Sequence, residues 1–84
     1  MTNNEILKKQ IIYRSMHRGF KEMDLLLGKF VNNCINDLNS SELNDLNKLL
    51  SMEDKSLYKW YFEKHSNQDI EKIKLSSKLK NFEL

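Results

Sequence analysis

The chain has no proline and no alanine, one cysteine, one tryptophan and two glycines. Asparagine, lysine and isoleucine fill the space instead, which points to A+T-rich coding DNA rather than to a fold. The asparagines are scattered, not blocked, so they do not form a prion-like tract. With Cys34 alone, no disulfide can form within the chain and a four-cysteine zinc site is excluded, as suits a reducing compartment. Cys34 falls on an apolar helical face and reads as a buried structural thiol. Catalytic signatures are missing too: there is no P-loop, no GxGxxG and no HExxH. His17 and His65 are far apart in sequence, and neither has a second metal ligand near it. No nucleophile stands beside a base and an orienting group. Met1-Thr2-Asn3-Asn4-Glu5 shows neither a basic stretch nor an apolar one, so no signal peptide, transit peptide or membrane span is expected.

What is present is a single small helical domain's worth of pattern over residues 1–84. Thr2 and Glu5 form a capping box for a first helix that begins near Asn3, carries Leu7, Ile11, Ile12 and Met16 at helical spacing, and stops by Gly19. Met23, Leu26, Leu27, Phe30, Val31, Cys34 and Ile35 make the clearest amphipathic stripe and predict a second helix over Lys21 to Asp37. Gly28 lies inside it and predicts a close helix approach. Asn39 and Glu42 form another capping box, ahead of Leu43, Leu46, Leu49 and Leu50, for a helix from Ser40 to Met52. Asp54 is placed to cap a fourth helix bearing Leu57, Tyr58, Trp60, Tyr61 and Phe62, with His65 as its C-terminal cap. Ser66 or Asn67 opens a fifth, with Ile70, Ile73, Leu75, Leu79 and Phe82 in a looser register. No alternating strand pattern and no repeat is visible. The expected architecture is an all-α five-helix bundle.

One stretch is not explained by packing: His17-Arg18-Gly19-Phe20-Lys21-Glu22-Met23-Asp24. The chain has twelve lysines but only two arginines; Arg18 falls in this stretch and Arg14 just before it, one helical turn away. Arginine offers a planar fork of donors that lysine cannot imitate. Gly19 follows Arg18 directly, and Glu22 and Asp24 come just after. Helix punctuation accounts for much of this: glycine ends helices because it reaches positive φ freely, and the macrodipole favours cations before the break and anions after it. A recognition corner accounts for it as well, and both readings stand at this point. Glu22 and Asp24, two apart on a helix, do not face each other as an acid/base pair. Binding is therefore a better reading than catalysis.

From Tyr13 to Phe30, YRSMHRGFKEMDLLLGKF, the chain resembles the succinate dehydrogenase assembly factor (flavinylation factor) family. The hallmark is Arg-Gly-x-x-Glu, here Arg18-Gly19-Phe20-Lys21-Glu22. Similarity extends to Leu38-Asn39, Leu49-Leu50, Asp54 and Leu57-Tyr58-Lys59-Trp60, so it covers about Leu7 to Leu79. Phe20 stands where relatives often have methionine, and His17 where they often have arginine or lysine. The resemblance implies a non-enzymatic chaperone that binds the flavoprotein subunit of succinate dehydrogenase, and in some bacteria that of fumarate reductase. It would promote covalent attachment of FAD to a histidine of that subunit. The protein would hold no cofactor of its own, since FAD belongs to the client. It would act as a cytoplasmic bacterial monomer in a one-to-one complex, without membrane insertion. The implied partner-binding residues are Arg14, His17, Arg18, Gly19, Phe20, Glu22 and Asp24. Arg18 would pair with client carboxylates or carbonyls, Gly19 would admit close backbone approach, Glu22 would accept hydrogen bonds, and Arg14 and Asp24 would frame the patch.

A nucleic-acid-binding helical domain is the alternative. It rests on a pI near 8.7 and on Lys72, Lys74, Lys78 and Lys80. Those lysines do not share one narrow face and Glu71 interrupts them, so a solvated surface is the simpler expectation.

Overall fold

The computed structural model describes residues 3–83, and among them there are six α-helices, a single 3-10 turn and no strand. The helices are α1 (Asn3–Met16), α2 (Lys21–Cys34), α3 (Ser40–Leu50), α4 (Asp54–Tyr61), α5 (Gln68–Glu71) and α6 (Ser76–Lys80). The all-α expectation holds, but the fifth helix is two. Its apolar residues Ile70, Ile73, Leu75 and Leu79 are all buried. Ile73 and Leu75, two apart, cannot share a helical face, so the backbone turns between α5 and α6 to bury both. The Thr2 part of the first capping box lies outside the described residues.

α2 is the central element because its apolar stripe is the widest. Met23, Leu26, Leu27, Phe30, Val31 and Cys34 are buried along it. The helix stops three residues earlier than its pattern suggests and tightens into a 3-10 turn over Ile35–Asp37, which still buries Ile35. α3 begins as read: Asn39 accepts from the Glu42 N–H at 2.9 Å, and the Glu42 carboxylate accepts from the Asn39 N–H at 3.1 Å. It ends at Leu50 rather than Met52. Its leucines, Leu43, Leu46, Leu49 and Leu50, join the α2 stripe in one core with Leu57, Trp60 and the buried residues of α5 and α6. α1 contributes less. Only Ile11 and Ser15 are buried on it, and polar clasps along α3 hold it: Asn4 Nδ2 donates to Ser40 Oγ at 2.9 Å, and Arg14 Nη1 to Asn47 Oδ1 at 2.7 Å.

Gly28 is buried, but no backbone lies against it. A Cβ built there would meet only the Met16 side chain, at 3.4 Å. The close approach is therefore between α2 and a flexible methionine of α1, not between two helix backbones. α4 starts from Glu53, not Asp54. Glu53 is the N-cap without a side-chain cap bond, and Asp54 sits inside the first turn. At its far end the Lys59 carbonyl accepts from the backbone N–H groups of Glu63 and His65. Lys64 between them takes a left-handed φ of 59°. Backbone, not the His65 ring, closes the helix; the ring lies 3.8 Å from the Glu63 carboxylate. Trp60 is only 2 % exposed, and its indole N–H has no acceptor among the described residues. Edge-on and tilted aromatic contacts run from Phe20 to Tyr58, Phe62 and Tyr61. The Tyr61 hydroxyl then donates to the Phe82 carbonyl.

Candidate functional site

The break between α1 and α2 spans residues 17–20 and forms one corner of the molecule. Gly19 sits there with φ +78°, a left-handed conformation that costs an L side chain roughly 1–2 kcal/mol. Space is not the reason for glycine, since an added Cβ would meet nothing within 4 Å. After it, Phe20 takes an extended φ/ψ of −134°/109° and serves as N-cap of α2, its carbonyl accepting from the N–H groups of Met23 and Asp24. The two acids then divide their tasks. Asp24 reaches back, and its Oδ1 accepts from the Arg18 backbone N–H at 2.8 Å, closing the turn. Glu22, exposed in the first turn of α2, has no ion pair or hydrogen bond to its carboxylate among the described residues.

Arg18 points inward. Its side chain is 9 % exposed, and Nε donates to Asp54 Oδ1 at 2.7 Å. One terminal nitrogen donates to the Leu50 carbonyl and the other to the Met52 carbonyl at 2.9 Å. The rarity of arginine is thus explained within the chain. Three acceptors, two of them carbonyls at and just beyond the end of α3, need a fork of donors rather than a point charge. The pairing with client groups expected of this guanidinium is taken up by the protein's own acceptors. Asp54 and Asn47, which hold the two arginines, were not among the site residues inferred from sequence. The unusual retention of arginine signalled that such acceptors exist, but not that they lie thirty-odd residues away along the same chain.

His17 and Tyr13 form a flat outer wall. Their rings stack at 3.9 Å with planes 13° apart. His17 Nδ1 lies 2.8 Å from the Tyr13 carbonyl, which can only accept, so Nδ1 carries a hydrogen and the neutral ring leaves Nε2 as an outward acceptor. Tyr13, Arg14, His17 and Arg18 line a cleft of about 450 Å³ with Leu50, Ser51 and Asp54. Of the large apolar side chains more than a third exposed, Tyr13, Met16, Phe20 and Leu25 fall between residues 13 and 25, and Ile6 is the other among the described residues. Apolar exposure gathered around one turn marks an interaction surface more than scattered residues do.

The expected site residues therefore separate into two sets. Arg18 and Asp24 fasten the turn from behind, and Arg14 is tied to α3. His17, Gly19, Phe20 and Glu22 face outward. The lysines behind the nucleic-acid alternative are divided. Lys72 borders a hollow with Asp45 and Asp69, and Lys74 and Lys78 border another with Glu42 and Asp45. Acids in both hollows break up any continuous basic stripe. No group of three or more His, Cys, Asp or Glu side chains among the described residues is arranged to hold a metal ion. No helix among them is long and apolar enough to cross a membrane.

A profile of the family described as "Flavinator of succinate dehydrogenase" matches residues 9–83. Among characterised relatives, the chain is 42 % identical over 67 residues to "Succinate dehydrogenase assembly factor 2, mitochondrial" of Dictyostelium discoideum, covering 74 % of this chain and 48 % of that protein. It is 38 % identical over 56 residues to the protein of the same name from Scheffersomyces stipitis, covering 67 % of this chain and 38 % of the relative. To "FAD assembly factor SdhE" of Legionella pneumophila it is 35 % identical over 81 residues, covering 96 % of this chain and 98 % of that protein. The chain thus spans less than half the length of the two mitochondrial relatives and nearly all of the Legionella one. No solved structure gives a significant match.

Proposed function

This chain belongs to the flavinator family of succinate dehydrogenase assembly factors, and we propose that it binds the flavoprotein subunit of that enzyme and promotes covalent attachment of FAD to one of its histidines. The observation that carries the reading is the outer face of the α1–α2 turn. There a Glu22 carboxylate with no partner among the described residues, the exposed Phe20 ring, the His17–Tyr13 plane and a Gly19 with open space at its Cβ position come from one short stretch of chain. Such a face suits docking: the apolar rings supply contact area, Glu22 accepts from client donors, and Gly19 lets the client's backbone come close.

The role is that of a chaperone and not of an enzyme. Bond formation between flavin and histidine takes place in the client. The contribution from this chain is orientation, holding the client's flavin-bearing domain so that ring, target histidine and charge-stabilising donors align. The complex is one-to-one, formed by a monomer in a bacterial cytoplasm, and the similarity to a Legionella pneumophila protein supports the bacterial part of that reading. The related flavoprotein of fumarate reductase is a second client on this reading.

The test is a flavinylation assay. The flavoprotein subunit of succinate dehydrogenase, and separately that of fumarate reductase, is mixed with FAD with and without this protein, denatured, and scored for covalent flavin by in-gel fluorescence. Covalent flavin should rise with the wild-type protein and fall back with a folded Glu22→Ala variant. Full flavinylation with that variant would remove Glu22 from the site. No increase and no complex with wild type would remove the function.

A further inference from the structure

α4 supports the turn at two points one helical turn apart. Asp54 holds the Arg18 guanidinium at 2.7 Å, and Tyr58 meets the Phe20 ring edge-on with centroids 5.4 Å apart. Residues four apart share a helix face, so both supports rise from the same side of α4. The turn needs them. Gly19 has nothing within 4 Å of its Cβ position, and the other tethers on this stretch are local to α1 and α2: His17 Nδ1 to the Tyr13 carbonyl, the Arg18 N–H to Asp24, and the N–H groups of Met23 and Asp24 to the Phe20 carbonyl. Arg18 is therefore held at its backbone by α2, and at its side chain by the end of α3 and the start of α4. Of the three side-chain acceptors, the Leu50 and Met52 carbonyls take the terminal nitrogens, and Asp54 alone takes Nε–H.

Resting on the function proposed above, we propose that Asp54 is a positioning residue for client recognition. It touches the client through no atom of its own. By anchoring Arg18 it sets where Gly19, Phe20 and Glu22 stand. Without an oxygen at this position the 9 %-exposed guanidinium keeps its two carbonyls, but its Nε–H loses its acceptor. That state is unfavourable enough to pull the side chain toward solvent. The turn moves with it, and a displacement of about 1 Å at an oriented contact is enough for large losses.

The experiment measures the affinity of the full chain for the FAD-bound flavoprotein subunit of succinate dehydrogenase by calorimetry, well below the melting temperature of every variant. Asp54→Ala and Arg18→Ala should each weaken binding about tenfold or more, and the double variant should be no weaker than the worse single, because both break one link. Asp54→Asn, which keeps an oxygen for Nε–H, should recover most of the affinity, a rescue that general loss of stability would not give. If Asp54→Ala does not fold, Asp54→Ser replaces it, since serine suits a helix start but is too short to reach Nε. Wild-type affinity in Asp54→Ala beside weakened Arg18→Ala would overturn the proposal and make Arg18 a direct contact. Equal losses in the alanine and asparagine variants would also overturn it. If wild type itself does not bind, the functional reading fails together with the positioning role, an outcome distinct from the other two.

Discussion

Replacing Gly19 separates backbone demand from partner contact. Its φ of +78° carries a cost of roughly 1–2 kcal/mol for an L-alanine. Alanine also narrows the unfolded ensemble, which returns about 0.4–1 kcal/mol. No steric penalty is added, because the new Cβ meets nothing within 4 Å. Gly19→Ala should therefore destabilise the isolated protein by about 1 kcal/mol, a fall in melting temperature of roughly 4–8 °C for a domain of this size. Gly19→Asn should lose less, since asparagine tolerates the left-handed region, and Gly19→Val more, since a branched Cβ does not. Thermal and urea unfolding followed by far-ultraviolet circular dichroism gives the order. If the partner fills the open space over Gly19, as proposed, client affinity measured where all variants are folded should follow a different order, with every side chain weakening binding. Alanine as stable as glycine would show that the turn is not held left-handed. Affinity that merely tracked stability would reduce Gly19 to a helix terminator.

Gly28→Ala should work in the opposite direction. It adds a helix-favouring residue worth about 0.8–1 kcal/mol in the interior of α2, and the new methyl touches only the flexible Met16 side chain at 3.4 Å; a raised urea midpoint checks it, and Gly28→Leu, which must displace Met16, should lower the midpoint instead. Burial pushes the Cys34 thiol above its ordinary value of 9.0, and Asp37 and Glu42 add to the shift against Lys78. The unfolded chain then ionises first, so stability is full below pH 9 and falls as pH rises from there toward the folded value. The slope of stability against pH in that range should be shallower in Cys34→Ala, and Cys34 of the native protein should react slowly with thiol reagents at neutral pH.

The core was legible because its signals are local. The α2 stripe from Met23 to Ile35 could be read from spacing alone, as could the Asn39–Glu42 box, and every apolar residue named in them is buried. Boundaries were less so. α1 stops at Met16 because the turn needs residues 17–20, and α2 gives way to a 3-10 turn while still burying Ile35. The split of the last helix was present in the two-residue step from Ile73 to Leu75, which a helix reading had to override. The site was half legible. Composition exposed the arginine bias, and the RGxxE pattern marked the corner. Which way Arg18 points is decided by the carbonyls of Leu50 and Met52 and by Asp54, and pairing across that separation leaves no local trace. The same holds for Asp24, whose cap-like position gives no hint that its carboxylate reaches back to the Arg18 N–H.

Trp60 has an optical consequence. It is the chain's single tryptophan, sealed in the core with no acceptor for its N–H among the described residues, so its native emission belongs at short wavelength and shifts to the red when water reaches the indole. The protein carries an unlabelled fluorophore that is responsive to loss of the core. Spectral position alone can then distinguish a variant that has lost its grip on a partner from one that has come apart.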